Sequence, residues 1–170
     1  YGDAKGSHQE CFVLDQLTSE FTLSTTRCPT WLYGNHAQQG YYRWRTTEAV
    51  LEGLLSDGYD NLSGSERAAL PTLLNLMLDG ESLSFSNFIA ALERLAEHND
   101  PVTLEALVRL INRLSEHALE PSMQAEFSEW IRDIFGPLYQ QVEDGAWNLR
   151  QIAMSEHLLI GILAYLGQEP

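Results

Sequence analysis

The sequence predicts a mainly α-helical fold: an antiparallel array of stacked helical pairs, preceded by a few β-strands of an incomplete sandwich. From Thr46 onward, apolar residues recur every three or four positions between short polar boundaries, which is typical of amphipathic helices. Before Thr46, short runs are rich in β-branched and aromatic residues, as in strands. Its 170 residues, 44% of them hydrophobic, are enough to bury a core. We therefore expect the end of a β-sandwich domain over residues 1–45 and part of a helical domain over residues 46–170.

Four short segments carry the strand pattern. They are Cys11–Leu14, Phe21–Thr26, Trp31–Tyr33 and Tyr41–Trp44. Such strands, with one apolar face, cannot close a sandwich by themselves, so helices or further strands must cover them. An antiparallel pair of the first two segments would place Cys11 opposite Cys28. Either a disulfide bridge or two free thiols is compatible with the sequence, because two cysteines do not define a disulfide framework.

The helical part divides into six or seven amphipathic segments. The apolar residues that define them are, in chain order, Val50, Leu51, Leu54 and Leu55; Leu70, Leu73, Leu74, Met77 and Leu78; Phe88, Ile89, Leu92 and Leu95; Leu104, Leu107, Val108, Ile111 and Leu114; Met123, Phe127, Trp130, Ile131, Ile134 and Phe135; and Ile152, Leu158, Leu159, Ile162, Leu163 and Leu166. Short connections favour antiparallel neighbours, and HEAT-like stacked pairs produce this pattern. The last helix is apolar almost all round, so it is either central or covered by further helices.

Capping and turn residues predict where these helices begin and end. The candidate caps are Thr46 or Thr47, Ser63 with Glu66 in capping-box spacing, Ser84 or Ser86, and Asp100 before Pro101. The candidate stops are Asp57-Gly58, Asp79-Gly80, Glu120-Pro121 and Asp144-Gly145. Two prolines fall inside apolar segments. We expect a kink or break at Pro71 and a bend or split at Gly136-Pro137, because proline cannot donate the helical hydrogen bond.

The charge balance argues against two classes of partner. The chain has 24 acidic and 10 basic residues, a net charge of −14, and Lys5 is the one lysine. Binding to phosphate needs clustered Lys and Arg, so we expect neither nucleic acid nor an anionic membrane surface as a partner. The longest apolar run, Leu158–Leu166, is about half a membrane span. The polar N-terminus without an initiator Met is typical of a start inside a longer protein, and it assigns no cell compartment.

No catalytic or metal-binding constellation is complete in the sequence. The five histidines are His8, His36, His98, His117 and His157. None forms the His-Glu-x-x-His order that places two zinc ligands on one helix face, and the inverted order fails because positions 94, 113 and 153 are not histidine. His98 and His117 fall near predicted helix C-termini, where the helix dipole favours a partly positive side chain, so we expect them to cap helices at the surface. We assign no catalytic, cofactor-binding or metal-binding residue.

One stretch resembles a known enzyme family. It reads Trp31-Leu32-Tyr33-Gly34-Asn35-His36-Ala37-Gln38-Gln39-Gly40-Tyr41-Tyr42-Arg43-Trp44. The stretch resembles the segment of aminopeptidase N-type zinc metallopeptidases (the puromycin-sensitive and endoplasmic-reticulum aminopeptidase-like group) where a small β-sandwich domain passes into the C-terminal helical domain. The family pattern is Trp, three residues, Asn, four residues, Gly, an aromatic residue, Tyr, Arg and Val; here Trp44 replaces the Val.

Later segments carry the resemblance to about Gly167. Ser65–Leu70, Phe135–Tyr139 and Gly145–Trp147 are similar to successive parts of the family's helical domain. Departures occur where the family has Asp shortly after the first of these segments, and where Ile160-Gly161 replaces a Leu-Arg pair. The overall pattern therefore matches, while individual positions do not all transfer.

The resemblance implies a parent enzyme that removes N-terminal residues from peptides. Such enzymes hold one zinc with a His-Glu-x-x-His helix and a distant Glu, and bind the substrate amine with a Gly-Ala-Met-Glu-Asn segment; neither motif occurs here. The chain would be a non-catalytic C-terminal region that acts as chamber wall and domain-closure element. Its partners would be the missing catalytic domain, where the zinc is expected, and peptide substrates. The alternative is a stand-alone helical-repeat module that binds a protein or peptide without enzymatic activity.

Overall fold

Six helices make up most of the molecule in the computed structural model, which describes residues 1–3, 6–13, 15–117 and 119–167. They are α1 Glu48–Gly53, α2 Gly64–Asp79, α3 Phe85–Glu97, α4 Pro101–His117, α5 Gln124–Glu143 and α6 Leu149–Tyr165. The strands β1 Gly2–Asp3 and β2 Gly6–Ser7 form a short antiparallel hairpin near the N-terminus. The prediction of a mainly α-helical array is confirmed.

The helices pack in two layers. In one layer α2 packs extensively against α4, and α4 against α6. In the other layer α3 contacts α5 over a short stretch and also touches the turn that follows α1. Consecutive helices contact each other between the layers, because short connections bring antiparallel neighbours together.

The apolar core lies between these layers. Its largest fully buried side chains are Tyr59, Phe88, Phe135, Leu54, Leu70, Leu74, Met77, Leu92, Leu95, Leu104, Leu107 and Ile111. Most of them are residues that the helical period assigned to core faces, and each contributes about 1.5–3 kcal/mol by leaving water. No helix in the described part of the chain combines the length and the apolar character needed to cross a bilayer.

Most predicted helix starts are confirmed. Ser63 and Glu66 form the capping box of α2: the Ser63 hydroxyl accepts the Glu66 N–H at 3.4 Å, and the Glu66 carboxylate accepts the Ser63 N–H at 2.7 Å. Thr47 and Ser84 cap α1 and α3 through their hydroxyl groups. Asp100 accepts a backbone N–H of the first turn of α4 at 3.2 Å. These contacts are local in sequence, which is why the sequence predicts them.

Three helix interruptions differ from expectation. The structure contains no break at Pro71 in α2 and no split at Gly136-Pro137 in α5, because both helices continue through their proline. Pro71 is buried in the core, so packing of the flanking turns outweighs the hydrogen bond that proline cannot donate. Beyond α1 the backbone does not stop at once but continues as a π-helical turn, Leu54–Gly58, and a 3-10 turn, Tyr59–Asn61.

The strands predicted before residue 46 are wrong in their positions. The segments 11–13, 21–26 and 41–44 have no strand structure, and Leu14 lies outside the described residues. Trp31 makes a single antiparallel bridge with Gly2, whose N–H donates to the Trp31 carbonyl at 3.1 Å. A strand needs a partner to satisfy its backbone groups, and strand propensity alone does not supply one. Phe12 and Phe21 stack on each other at 4.5 Å but stay 42% exposed.

The two cysteines are free thiols. Cys11 and Cys28 are both exposed and unbridged, so the disulfide alternative is wrong and the free-thiol alternative is confirmed. The bridge required two paired strands, and the flanking segments do not pair.

The division into residues 1–45 and 46–170 stays a prediction. Trp31, Tyr33 and Trp44, all from the first range, pack against the core that the helices of the second range build. The two ranges are thus in intimate contact at this place.

Candidate functional site

Trp31 anchors the N-terminal part of the chain on the helical array. Its side chain is 6% exposed and lies against Gly58 at the end of the π-helical turn. A Cβ at Gly58 would lie 2.8 Å from the indole ring, and a Cβ at Gly53 would lie 1.9 Å from the carbonyl oxygen of Thr30. Glycine at these two positions therefore lets the chain at residues 30–31 lie directly on the helical backbone.

A buried amide closes the loop that follows this anchor. Asn35 accepts the Gly40 N–H at 2.7 Å through Oδ1 and donates from Nδ2 to the Gly40 carbonyl at 2.9 Å. Between them, Ala37 and Gln38 have positive φ angles of 52° and 57°. A residue with a Cβ pays about 1–2 kcal/mol in this region. The two Asn35 hydrogen bonds stabilise a loop that its own backbone preferences disfavour.

Glu66 connects this loop to α2. Besides its capping role, its carboxylate accepts the Ala37 N–H at 2.8 Å through Oε1, and the residue is only 4% exposed. The Nδ1 atom of His36 lies 3.3 Å from the same oxygen. The carboxylate of one residue thus satisfies backbone groups from two parts of the chain.

The protonation state of Glu66 follows from these contacts. Burial acts to raise its pKa, because it penalises the charged form. The backbone N–H groups of Ser63 and Ala37, the Ser63 hydroxyl and the nearby His36 together outweigh burial and hold the pKa of Glu66 below its ordinary value. Glu66 is therefore ionised at neutral pH, and it serves as a hydrogen-bond acceptor and not as an acid.

Two aromatic residues cover the link between the loop and α2. The Tyr33 hydroxyl donates to the Glu66 backbone carbonyl at 3.3 Å and accepts from the Gln38 amide. Trp44 packs edge-on against the Tyr33 ring, with centroids 5.0 Å apart and an interplanar angle of 70°. Burial, with the Glu66 charge as the second cause, raises the pKa of Tyr33, so its hydroxyl keeps its proton. We call Tyr33, Asn35, His36, Gly40, Trp44 and Glu66 the junction cluster.

An open cavity of about 650 Å³ lies beside the junction cluster. Its walls include Phe12, Phe21 and Tyr42 together with the carboxylates of Glu10 and Glu66. Both carboxylates have partners within the protein. Glu10 accepts from the Tyr1 hydroxyl at 2.6 Å and from the Ser24 N–H at 2.9 Å. These bonds, the first more than the second, lower the pKa of Glu10. The cavity therefore offers mainly aromatic surface.

A second buried network joins the turns after α1 to α3 and α4. The Tyr59 hydroxyl lies 2.7 Å from Thr103 Oγ1, which donates to Asp100 at 2.7 Å. His98 stacks on the Tyr59 ring at a centroid distance of 3.5 Å, and its Nε2 lies 3.0 Å from the Leu55 carbonyl oxygen. Because a carbonyl only accepts, His98 must be protonated at Nε2. His98 stands at the C-cap of α3 as expected, yet its ring binds a different turn and not its own helix end.

The histidines do not come together in a metal site. Within the residues that the structure describes, no three His, Cys, Asp or Glu side chains are placed to share a metal ion. His36 meets Glu66, His98 meets Tyr59, and His117 lies exposed at the end of α4, 3.9 Å from Glu116. The absence of catalytic and metal-binding residues stays a prediction.

Comparison with known proteins finds a family that matches most of the chain. A family model described as the ERAP1-like C-terminal domain matches residues 31–169. No curated protein and no solved structure matches the sequence. The matched range contains the whole junction cluster and all six helices.

Proposed function

This chain belongs to the family of ERAP1-like C-terminal domains, and on that premise we propose that it is the non-catalytic C-terminal region of a zinc aminopeptidase. In this role it forms a wall of the chamber in which the parent enzyme removes N-terminal residues from peptides. It also takes part in the closure of that chamber, which excludes water and retains the substrate. Its partners are the catalytic domain and the peptide substrates.

The zinc belongs to the catalytic domain in this proposal. The sequence has no His-Glu-x-x-His motif, and the described residues do not group three potential ligands. These side chains therefore do not fit a zinc site, and no step of peptide hydrolysis is assigned to them. Their contribution is to shape and position the wall.

The family match, together with the build of the junction cluster, is the observation that supports this function. A wall that takes part in domain closure must transmit motion without deforming at its connection. The buried side chains of Asn35 and Glu66 tie the 35–40 loop to α2 by several hydrogen bonds. Such a connection favours movement of the first part of the chain and the helical array as one body, with the hinge elsewhere.

The test uses the full-length native polypeptide that carries this chain, with two substrates. Asn35→Ala removes the amide that closes the loop, and Gln39→Ala, at an exposed position of the same loop, is the matched control. We expect Asn35→Ala to lower kcat/KM roughly tenfold for a long peptide, because a misplaced wall impairs closure, and to leave hydrolysis of a single aminoacyl nitroanilide unchanged.

Two results would contradict the proposal. One is an equal loss for both substrates, which would indicate a direct catalytic role. The other is no loss for either substrate in a variant whose loop is shown to be displaced.

A further inference from the structure

A groove separates α3 from α5, on the side of the array away from the α2–α4–α6 layer. The space between the two helices has a volume of about 460 Å³. Its floor is apolar: Ala96 and Leu138 are buried, and Ile134 and Trp130 are partly buried. We call this space the α3–α5 groove. It offers an apolar surface on which one side chain of a partner can pack.

Three carboxylates stand along the α3–α5 groove. Glu93 and Glu97 come from successive turns of α3 and therefore share a face, and Asp133 comes from α5. The lining residues include no Arg, Lys or His. The net charge of −14 adds to the negative potential at this place. The charge of the groove therefore favours a cationic occupant.

The amide at one end of the groove also lacks a donor. Asn99 Nδ2 donates to Gln141 Oε1 at 3.1 Å, and Asn99 Oδ1 is buried without a hydrogen-bond partner. Turning the amide over would place the two oxygens against each other, so this assignment is the favourable one. An unpaired buried acceptor is destabilising, and a donor that enters the groove relieves it once the side chain turns.

The Trp130 indole can receive a flat cation. Its Nε1–H donates to Glu93 Oε1 at 2.9 Å and so fixes the ring across the gap between the two helices. With its N–H engaged, the indole offers its face, and a guanidinium stacks on such a face more readily than an ammonium does.

We propose that the α3–α5 groove binds an arginine-bearing polypeptide segment. A guanidinium has five N–H donors and no acceptor, which matches a site lined by carboxylates and an unpaired amide oxygen. A neighbouring apolar side chain of the segment covers Ala96 and Leu138. This binding site is separate from the junction cluster, and it does not depend on the wall function proposed above.

The test measures binding of a fluorescent peptide to the 170-residue chain. The probe is acetylated and amidated Leu-Arg-Leu-Arg, and the control probe carries citrulline, which has the shape of arginine without its charge. The groove variant is Glu97→Gln with Asp133→Asn. The matched control variant is Glu52→Gln with Asp60→Asn, which removes the same charge at exposed positions outside the groove.

We expect saturable binding of the arginine probe that weakens about tenfold with citrulline and about tenfold in the groove variant, with the control variant within about twofold of the wild type. Thermal melts establish that the variants are folded. Absence of saturable binding by the wild type, equal affinity for the citrulline probe, or equal weakening in both variants would overturn the proposal. Because no hydrolysis is measured, none of these results bears on the wall function.

Discussion

The carboxylate of Glu66 accepts the backbone N–H of Ala37 at 2.8 Å, across 29 residues of sequence. The same carboxylate closes the capping box of α2 on Ser63. One side chain thus couples the start of a helix to a loop whose residues have left-handed backbone angles. The stability of the loop and the stability of the helix start should therefore depend on each other.

Glu66→Ala should be strongly destabilising for an acidic residue. It leaves two backbone N–H groups without their acceptor at a place that is 4% exposed. Hydrogen bonds to a buried charged group and the loss of a cap together amount to about 3 kcal/mol. Urea unfolding of the variant should show this decrease in the free energy of unfolding. The exposed control Glu52→Ala should stay within about 0.5 kcal/mol of the wild type, and an equal loss in both would contradict the role given to Glu66.

The stabilisation by Glu66 should depend on pH. Because the folded pKa lies below the value of 4.5 for an unperturbed glutamate, the unfolded state binds the proton more readily. The contribution is therefore complete above pH 4.5 and is lost as the pH falls through the lower folded pKa. Unfolding free energies of the wild type and Glu66→Gln should converge as the pH falls below 4.5. A difference that stays constant through this range would show that the charge of Glu66 is not involved.

Asn35→Ala should open the 35–40 loop. It removes both hydrogen bonds to Gly40, whose N–H is then left without the 2.7 Å acceptor. We expect a loss of about 2 kcal/mol in stability, and faster amide hydrogen exchange at Gly40 than in the wild type. Gln39→Ala, at an exposed position of the same loop, should leave both quantities unchanged. Unaltered exchange at Gly40 in the Asn35 variant would refute the assigned role of this amide.

Gly53→Ala should displace the chain at Thr30 and Trp31. The added Cβ would lie 1.9 Å from the Thr30 carbonyl oxygen, which cannot move without pulling Trp31 from the core. Overpacking of this kind costs about 1–3 kcal/mol, measured as a lower free energy of unfolding in urea. Gly64→Ala is the matched control, because nothing lies within 4 Å of its added Cβ and alanine favours the helix. Equal stability of the two variants would contradict the close approach at Gly53.

The local features of the fold could be predicted from the sequence, and the long-range ones could not. Ser63 and Glu66 are three residues apart, so the capping box has a sequence signature. The bond from Glu66 to Ala37 has none, because no local pattern indicates which distant loop reaches the helix. His98 illustrates the same limit: its position at the end of α3 was predicted, but the partner of its ring, the Leu55 carbonyl, is 43 residues away.

The failed predictions concern elements whose formation depends on tertiary partners. The segment 21–26 has strand propensity, but without a neighbouring strand its backbone groups do not pair. Pro71 has the opposite outcome, since a residue that disfavours a helix interior is accommodated within a well-packed core. The α3–α5 groove also has no sequence signal, because its acidic and apolar residues come from two helices that meet only in the folded chain.

The most direct test of the central claim is the mass and peptide map of the native protein that carries these residues. If this chain is the C-terminal region of a zinc aminopeptidase, the native polypeptide is several times larger than 19.2 kDa and contains a His-Glu-x-x-His peptide upstream of Trp31. A native polypeptide of 19.2 kDa without that peptide would contradict the claim. It would favour a stand-alone helical module that binds a protein or peptide.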